Sequence, residues 1–355
     1  MANGLYIHIP FCDGKCPYCG FYSEVPQKNI ISDYKNALIK EVLNPKYKSA
    51  SVFDTIYFGG GTPNLLGPDN LIEVIDASRK AFTFKTPEIT IEINPCAKNL
   101  AEIFEVLQKS GLNRVSIGMQ SANGDELDFL GRKHTKEDIK KAVSTAKDTQ
   151  IANISLDLII GLPNQTIKSL DKSIDLVLAL DVTHISAYML KIEPNTPFYK
   201  KNITVDDDDQ ANQYIHLCKR LNQNGFGHYE ISSFAKKGFE SRHNLKYWQG
   251  DDYLGLGPSA HSLINGKRFY YPSSIKEFIS NPNTINDGDG GGYEEKAMLN
   301  LRLASGITGD IPKEYISRAK ALESTGYVIA DENGIRITES GFLLSNTLIN
   351  KIING

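Results

Sequence analysis

The sequence predicts an α/β protein: a partial (β/α)6 barrel followed by a small C-terminal helical, winged-helix-like domain. Apolar strand segments alternate with helix segments through the first half of the chain, which is typical of parallel strands joined by right-handed crossovers. Unusual polar residues fall where these strand segments end, and the alternation stops after Ile192. Six units predict an open or partial barrel, since a closed barrel of this kind has about eight.

Six strand segments and five helix segments carry this prediction. The strands are predicted at Leu5–Pro10, Thr55–Gly60, Ile89–Pro95, Arg114–Gln120, Ile154–Gly161 and His184–Ile192. The helices are predicted at Asp33–Leu43, Asp69–Phe82, Leu100–Ser110, Lys136–Lys147 and Ser169–Ala179. Since catalytic and binding groups of parallel α/β sheets lie beyond the carboxyl ends of the strands, we expect the site at that rim.

The rest of the chain divides by composition. We expect residues 1–200 to form the barrel, residues 201–286 to extend it, and residues 294–355 to form the C-terminal module. The acidic run Asp206–Asp209 is typical of a solvated helix N-terminus. The glycine-rich segment Asp287–Tyr293 is interpreted as a flexible connector, and the sequence around Glu332-Asn-Gly predicts a β-hairpin.

The composition excludes several classes of function. The chain has 355 residues, 41% of them hydrophobic, and a formal net charge of −3. A protein that binds nucleic acid through its backbone phosphates needs a basic surface, so no nucleic-acid partner is expected. No apolar run approaches the roughly 20 residues that span a bilayer. The N-terminus leaves no room for a targeting segment, and a cytoplasmic location is expected.

Cys12, Cys16 and Cys19 form a Cys-x-x-x-Cys-x-x-Cys motif directly after the first strand. Three thiolates on one tight loop can hold three corners of a 4Fe-4S cluster and leave the fourth iron open. A structural zinc ion normally takes four ligands. His8 could be a fourth ligand beside the three cysteines, but it falls within a predicted strand. A disulfide would leave the third thiol unpaired. The motif therefore predicts a 4Fe-4S cluster, with Cys96 and Cys218 as isolated thiols.

Polar groups at other strand ends predict a ligand beside this cluster. Glycines in Gly59–Pro63 let a ligand approach the backbone, where exposed amides can bond a carboxylate or an amine-bearing group; the alternative is a turn without ligand. Glu92 and Asp157 lie within strands and need partners. Either they form internal salt bridges, for Glu92 with Arg132, or they bind a cationic or hydroxylated ligand.

Together these motifs resemble the radical S-adenosylmethionine (SAM) superfamily, in which SAM binds the open iron and Tyr18 would lie by the adenine. The segments Tyr6–Cys12, Gly59–Pro63, Arg114–Gln120 and Asp157–Pro163 are similar to the oxygen-independent coproporphyrinogen III oxidase family. The resemblance implies SAM contacts at Tyr6, Tyr18, Gly60, Gly61, Thr62, Glu92, Gln120, Arg132 and Asp157. In the oxidases several of these positions serve a second SAM molecule.

Two departures from the oxidase pattern resemble the HemW-type haem chaperones instead. Phe21 stands where the oxidases have a further cysteine, and a phenyl ring cannot ligate a metal. Only five residues precede Tyr6, where the oxidases have a longer arm. The resemblance implies haem as a ligand, a haem-acceptor protein as a partner and an electron donor for the cluster. It leaves catalytic residues unassigned.

The segment His243–Trp248 offers a haem site. An imidazole can bind haem iron axially, aromatic faces can pack on the porphyrin, and Arg242 and Lys246 could meet the propionates. The alternative is a structural corner of histidine and aromatic rings. His261 is a second candidate for the haem ligand, or for a SAM contact.

Three functions remain open on the sequence. The preferred one is a haem chaperone with a 4Fe-4S cluster and SAM. The alternatives are an oxygen-independent coproporphyrinogen III oxidase and a radical enzyme with an unrelated substrate.

Overall fold

The computed structural model describes residues 2–27, 29–47 and 52–355. Six parallel strands form its centre: β1 (Asn3–Ile9), β2 (Val52–Gly60), β3 (Thr83–Ile93), β4 (Arg114–Gln120), β5 (Asn153–Ile160) and β6 (His184–Met189). The helices between them are α1 (Ile30–Val42), α2 (Pro68–Ala81), α3 (Leu100–Lys109), α4 (Gly124–Phe129), α5 (Lys136–Asp148) and α6 (Ile167–Ala179). The predicted partial barrel is confirmed. The short helix α4 was not predicted, and β3 begins six residues before its predicted start.

Alternation along each strand creates two faces, as β4 illustrates. Val115, Ile117 and Met119 point outward into the hydrophobic core, which they share with the surrounding helices. Arg114 and Ser116 lie on the other face, because successive side chains of a strand point to opposite sides. We call the space enclosed by this inner face of β1–β6 the lumen. Its polar lining is what positions the site.

Residues after β6 extend the sheet at both edges. The helices are α7 (Pro197–Lys200), α8 (Asp207–Gln223), α9 (Arg242–Gln249) and α10 (Ile275–Ser280). The strands are β7 (Gly227–Glu230), β8 (Ser233–Ala235), β9 (Tyr253–Leu256), β10 (His261–Ile264), β11 (Lys267–Tyr270) and β12 (Ile285–Asp289). The resulting twelve-stranded sheet has the order β12-β11-β10-β9-β1-β2-β3-β4-β5-β6-β8-β7. Within it β9 runs parallel to β1, whereas β8 runs antiparallel to β6.

Two local predictions in this region have different outcomes. Asp206 caps α8 by accepting a hydrogen bond from the backbone N–H of Asp209 at 2.9 Å, which confirms the predicted helix start. The flexible-connector interpretation is wrong for residues 287–289, because they belong to β12. Asp289 of that strand pairs with Lys267 of β11. Glycine-rich composition did not prevent backbone pairing there, since an exposed edge strand needs no side-chain packing on its outer side.

The C-terminal module contains α11 (Tyr293–Asn300), α12 (Lys313–Leu322), β13 (Val328–Asp331), β14 (Gly334–Ile337) and α13 (Ser345–Ile353). The predicted hairpin is confirmed, since β13 pairs antiparallel with β14. The module docks on the barrel where Nδ1 of His228 lies 3.2 Å from a carboxylate oxygen of Glu339. Cys218 of α8 lies beside this pair as a buried free thiol. Among the described residues, no helix combines the length and apolar character needed to cross a membrane.

Candidate functional site: the cysteine loop and the barrel lumen

The three motif cysteines lie at the carboxyl end of β1, on a loop that backbone hydrogen bonds hold in place. The backbone N–H of Cys12 donates to the carbonyl of Glu24 at 3.1 Å, and the N–H of Glu24 donates to the carbonyl of Pro10 at 2.8 Å. A tight turn brings the N–H of Cys19 to the carbonyl of Cys16 at 3.1 Å. All three thiols are free and half-buried. The loop therefore presents three potential metal ligands from a backbone that its own hydrogen bonds hold in place.

The electrostatic environment of these thiols fits a 4Fe-4S cluster. Burial raises the pKa of the Cys19 thiol, and Cys16 and Cys12 raise it further, because three thiolates this close repel one another. Iron bound between them would remove that penalty. Nη1 of Arg132 donates to Sγ of Cys16 at 3.6 Å. Although burial opposes it, the neighbouring Tyr18 and Cys16 raise the pKa of Arg132, which holds a positive charge beside the thiols.

The glycine turn after β2 packs directly against this loop. A Cβ atom on Gly61 would lie 2.5 Å from the carbonyl oxygen of Phe11, and one on Gly60 would lie 2.5 Å from the ring of His8. Gly60 also has a φ of 108°, which disfavours any residue with a side chain. Glycine is therefore required here because two strand ends and the cysteine loop meet at contact distance.

The predicted free amides of this turn are already bonded, so that part of the prediction is wrong. The N–H of Gly60 donates to the carboxylate of Glu92 at 3.2 Å. The N–H groups of Gly61 and Thr62 donate to the carbonyls of Ile9 and Phe11 at 2.9 and 2.7 Å, respectively. Sequence alone could not show this, because the acceptors come from β3, from the last residue of β1 and from Phe11 just after that strand. Thr62 also brings Oγ1 to 3.6 Å from Sγ of Cys12.

Glu92 lies deep in the lumen and is partly accessible to solvent. The hydroxyl of Tyr57 donates to its Oε1 at 2.8 Å. Burial, together with the charge of Asp157, raises the pKa of Glu92 to about 7. The alternative salt bridge with Arg132 is not formed, since the guanidinium bonds Cys16 and the carbonyl of Gly118. Glu92 can therefore change its protonation near neutral pH when a cationic ligand approaches.

Asp157 shares the lumen with Glu92. The Oγ of Ser116 donates to its two carboxylate oxygens at 3.0 and 3.1 Å, and Ser155 lies 3.5 Å away. Burial raises the pKa of Asp157, while these hydroxyls oppose the rise. No described cation pairs with it within ion-pair distance. Its part-accessible side chain can therefore accept a hydrogen bond from a ligand.

The remaining predicted SAM positions lie on β1, on the cysteine loop and at the end of β4. The hydroxyl of Tyr6 lies 3.0 Å from Nδ1 of His8, and Nε2 of His8 lies 3.0 Å from the carbonyl of Tyr22. Both nitrogens of His8 are thus engaged, which excludes it as a fourth ligand in this conformation. Tyr18 packs near Phe198 of α7. Gln120, with a φ of 62°, ends β4 at the rim.

His243 lies on α9 at the floor of the lumen and is 1% exposed. Its Nδ1 lies 2.8 Å from Oγ1 of Thr55, and its Nε2 lies 2.8 Å from the hydroxyl of Tyr247. Burial lowers its pKa to about 3, so the ring is neutral. Because both nitrogens are occupied, this conformation supports the structural-corner alternative over haem ligation.

The cations beside His243 are also engaged. Arg242 and Lys246 approach the carboxylate of Asp54 at 3.4 and 2.8 Å, so neither is a free partner for a propionate. His261 differs, because its imidazole is exposed on β10 and stacks on Tyr270 with ring centroids 5.0 Å apart. Of the two candidate haem ligands, His261 is the accessible one.

Tyr57, the partner of Glu92, was not predicted as a site residue. The sequence could have indicated its position, because Tyr57 lies two residues before Gly59 and alternate residues of a strand share one face. Tyr188 was also missed. It projects from β6 with 46% of its surface exposed, although the neighbouring Ile185 and Ala187 are buried. Both tyrosines line the lumen, and their roles depend on strands that pair far apart in the chain.

Comparisons with known proteins agree with this geometry. The family model of the Radical SAM superfamily matches residues 6–177. "Heme chaperone HemW" of Bacillus subtilis (strain 168) is 33% identical, covering 96% of this chain and 96% of that protein. "Heme chaperone HemW" of Haemophilus influenzae is also 33% identical, covering 97% of this chain and 96% of that protein. The solved coproporphyrinogen III oxidase (HemN) from Escherichia coli, described as a radical SAM enzyme, has a TM-score of 0.83 at 21% identity. The match covers 99% of this chain and 90% of that structure, which shows the shared fold.

Proposed function

The chain belongs to the radical SAM superfamily and, within it, to the family of the HemW haem chaperones, and from this membership we propose that it binds haem and transfers it to an acceptor protein. The observation that carries the proposal is the extent of the similarity. It covers 96% of both this chain and the Bacillus subtilis relative, including the sheet extension and the C-terminal module. A shared cluster domain alone would match only the first half.

Phe21 supports the chaperone over an oxidase. Its side chain is 70% exposed beside the cysteine loop, where the resembling oxidases carry a further cysteine. An exposed phenyl ring offers neither a metal ligand nor a proton donor. It does offer an apolar face next to the site, which suits contact with a planar porphyrin or with a partner.

We assign the cofactors by the chemistry of the donors. Cys12, Cys16 and Cys19 would hold a 4Fe-4S cluster, and Arg132 would balance its charge. The lumen residues Glu92 and Asp157 would hold SAM through its amine and hydroxyl groups. When bound, the cluster supplies one electron at a time, which requires an electron donor as a partner. Free thiols of this kind require a reducing compartment, so we propose the cytoplasm.

We propose His261 as the axial ligand of haem. Its imidazole is exposed and stacked on Tyr270, so it can reach iron without breaking a buried hydrogen bond. His243 would have to release both Thr55 and Tyr247 first. Each of those bonds is worth about 1 kcal/mol, and unpairing a buried group costs more. The preference for His261 follows from that difference.

A haem titration tests the proposal. The full chain is titrated under anaerobic conditions, with and without its reconstituted cluster, and the Soret band is followed. We expect one haem per chain, a shifted and weaker Soret band in His261→Ala, and an unshifted band in His243→Phe. The control is His216→Ala, which removes a partly exposed histidine paired with Asp171 outside the site. If the native chain binds no haem stoichiometrically, the chaperone proposal is wrong.

One observation favours a second function, oxidative decarboxylation of coproporphyrinogen III. The full set of rim and lumen side chains implied by the oxidase resemblance is present, including Glu92 and Asp157. An anaerobic turnover assay with SAM, a reductant and coproporphyrinogen III separates the two functions. Formation of protoporphyrinogen would replace the chaperone proposal with an oxidase.

A further inference from the structure

Cys218, His228 and Glu339 form a cluster where the C-terminal module meets the barrel. Cys218 lies on α8, His228 on β7 and Glu339 two residues after β14. One thiol, one imidazole and one carboxylate atom of these residues all lie within 4.8 Å of one another. We call these three residues the junction cluster. None of them belongs to the cysteine loop or to the lumen, so the proposed cofactors do not use it.

Hydrogen bonds indicate which nitrogen of His228 carries the proton. The hydroxyl of Tyr214 donates to the carbonyl of Ile231 at 3.0 Å. Its oxygen is therefore left to accept from the Nε2–H of His228, 3.4 Å away. In the neutral imidazole the lone pair then lies on Nδ1, and this atom faces a carboxylate oxygen of Glu339 at 3.2 Å. Because two acceptor atoms repel each other, a proton or a metal ion must lie between them.

A metal ion accounts for the junction cluster better than a proton does. A proton would bridge only His228 and Glu339, whereas the thiol of Cys218 completes a set of three different metal ligands. Tetrahedral zinc holds nitrogen and oxygen ligands at about 2.0–2.2 Å, which places them roughly 3.3–3.5 Å apart. The observed separation of 3.2 Å is close to that spacing. Burial raises the pKa of the Cys218 thiol, but coordination overcomes this effect because a metal-bound thiol loses its proton.

Neighbouring side chains hold these ligands in place. The ring of His228 stacks on Phe234 with centroids 4.2 Å apart, and Phe342 of the C-terminal module meets it edge-on at 5.2 Å. Nδ2 of Asn222 donates to the carboxylate of Glu339 at 2.7 Å. Contacts of this kind orient the ligands of metal sites. The side chain of Glu339 is 40% exposed, which gives an ion a path from solvent.

We propose that Cys218, His228 and Glu339 bind a zinc ion that fastens the C-terminal module to the barrel. A thiolate, an imidazole and a carboxylate together suit zinc, which accepts sulfur, nitrogen and oxygen ligands. Three protein ligands leave the fourth position of a tetrahedral ion to water. Since Cys218 and His228 come from the barrel side and Glu339 from the module, binding stabilises the docked arrangement. The inference is independent of the haem proposal.

Cobalt serves as a spectroscopic substitute for zinc in the test. The protein is the full chain with its three motif cysteines replaced by serine, so that the cysteine loop cannot bind the ion. We expect about one Co²⁺ per chain, with the visible bands of tetrahedral cobalt and a thiolate charge-transfer band. Cys218→Ser should abolish the charge-transfer band. His228→Gln and Glu339→Gln should weaken binding by more than about 100-fold, because loss of an outer partner alone typically costs 10- to 100-fold.

Two control variants leave the junction cluster intact. Cys96→Ser removes an exposed thiol outside it, and His216→Ala removes a histidine of α8 that pairs with Asp171. Both should bind Co²⁺ with unchanged affinity and an unchanged spectrum. Zinc should raise the melting temperature of the serine-substituted chain, because it binds the folded state. It should not raise that temperature when the chain also carries Glu339→Gln.

Several outcomes would overturn the inference. Cobalt binding without the thiolate band, or an equal melting shift with and without Glu339→Gln, would place the ion elsewhere. Failure to bind any ion would leave a proton as the bridge between His228 and Glu339.

If the serine-substituted chain does not fold, elemental analysis of the cluster-loaded full chain decides after incubation with zinc and desalting. We expect about one zinc beside about four iron atoms per chain, and loss of the zinc alone in Glu339→Gln. Absence of zinc from the native chain, or equal zinc content in both chains, would refute the site.

Discussion

Replacing Glu92 with glutamine should change how the stability of the protein depends on pH. The carboxyl group has an ordinary pKa of 4.5 and a folded-state pKa of about 7, because it is buried and lies near Asp157. The folded protein therefore holds this proton more tightly than the unfolded chain. Stability is lost as pH rises from 4.5 to 7, and the full penalty applies above that range.

The size of the effect follows from the two pKa values. A tenfold change in proton affinity corresponds to 1.36 kcal/mol, so the rise from 4.5 to about 7 penalises the folded state by roughly 3 kcal/mol at pH 8. Glutamine carries no charge and escapes this penalty. Its own fixed costs, such as a poorer contact with the N–H of Gly60, are the same at every pH. The change between two pH values isolates the ionisation.

Urea unfolding of the cluster-free chain at pH 4.5 and pH 8 provides the measurement. The unfolding free energy of Glu92→Gln minus that of the native protein should rise by about 3 kcal/mol from pH 4.5 to pH 8. Glu105→Gln, which removes an exposed glutamate of α3, should gain none. If the two variants show the same pH dependence, Glu92 is not protonated near neutral pH and the reasoning about the lumen is refuted.

Three further predictions concern the loop and the floor of the barrel. Gly61→Ala should lower the unfolding free energy in urea titrations by about 1–3 kcal/mol, because its Cβ would lie 2.5 Å from a backbone oxygen. Gly14→Ala in the cysteine loop should change that free energy little, and equal effects of the two substitutions would contradict the packing argument. Arg132→Gln should lower the midpoint potential of the reconstituted cluster by tens of millivolts in a redox titration, because the reduced cluster loses a nearby positive charge. An unchanged potential would exclude Arg132 as the counter-charge of the cluster. His243→Phe should lower the unfolding free energy by roughly 1–3 kcal/mol, because Thr55 and Tyr247 lose their hydrogen-bond partner. Unchanged thermal stability would contradict the structural role of His243.

The sequence was most informative where one periodic pattern determines one element. The strand Arg114–Gln120 was predicted with its observed ends, because its apolar and polar residues alternate without interruption. Strands β7 to β12 were missed because they have three to five residues, too few to establish a period. Their pairing also joins segments distant in sequence, such as β9 with β1.

The site was predictable to the extent that it depends on local spacing. The three cysteines and the glycine turn are short motifs, and the structure brings them into contact. What the turn does depends on acceptors from other strands, so the free-amide prediction failed. The environment of His243 was equally hidden, because Thr55 lies on a different element and occupies one of the ring nitrogens.

Arg114 shows the same limit more clearly. It lies within the segment Arg114–Gln120, yet nothing in that segment shows that Nε and Nη1 of its guanidinium have no hydrogen-bond partner among the described residues. Its lack of a partner follows from the fact that Asp157, His184 and Glu92 are already bonded elsewhere. That fact exists only in the folded barrel. Sequence motifs therefore predicted where the site lies, and the hydrogen bonds within the lumen show which of its polar groups already have partners.

Mössbauer spectroscopy of the anaerobically reconstituted full chain tests the central claim most directly, because every cofactor assignment depends on the loop that carries Cys12, Cys16 and Cys19. We expect the spectrum of a 4Fe-4S centre with about four iron atoms per chain. The centre should be lost in Cys19→Ser and retained in Cys96→Ser, which removes an exposed cysteine outside the motif. A spectrum without such a centre, or zinc bound by the same three thiols, would contradict the account.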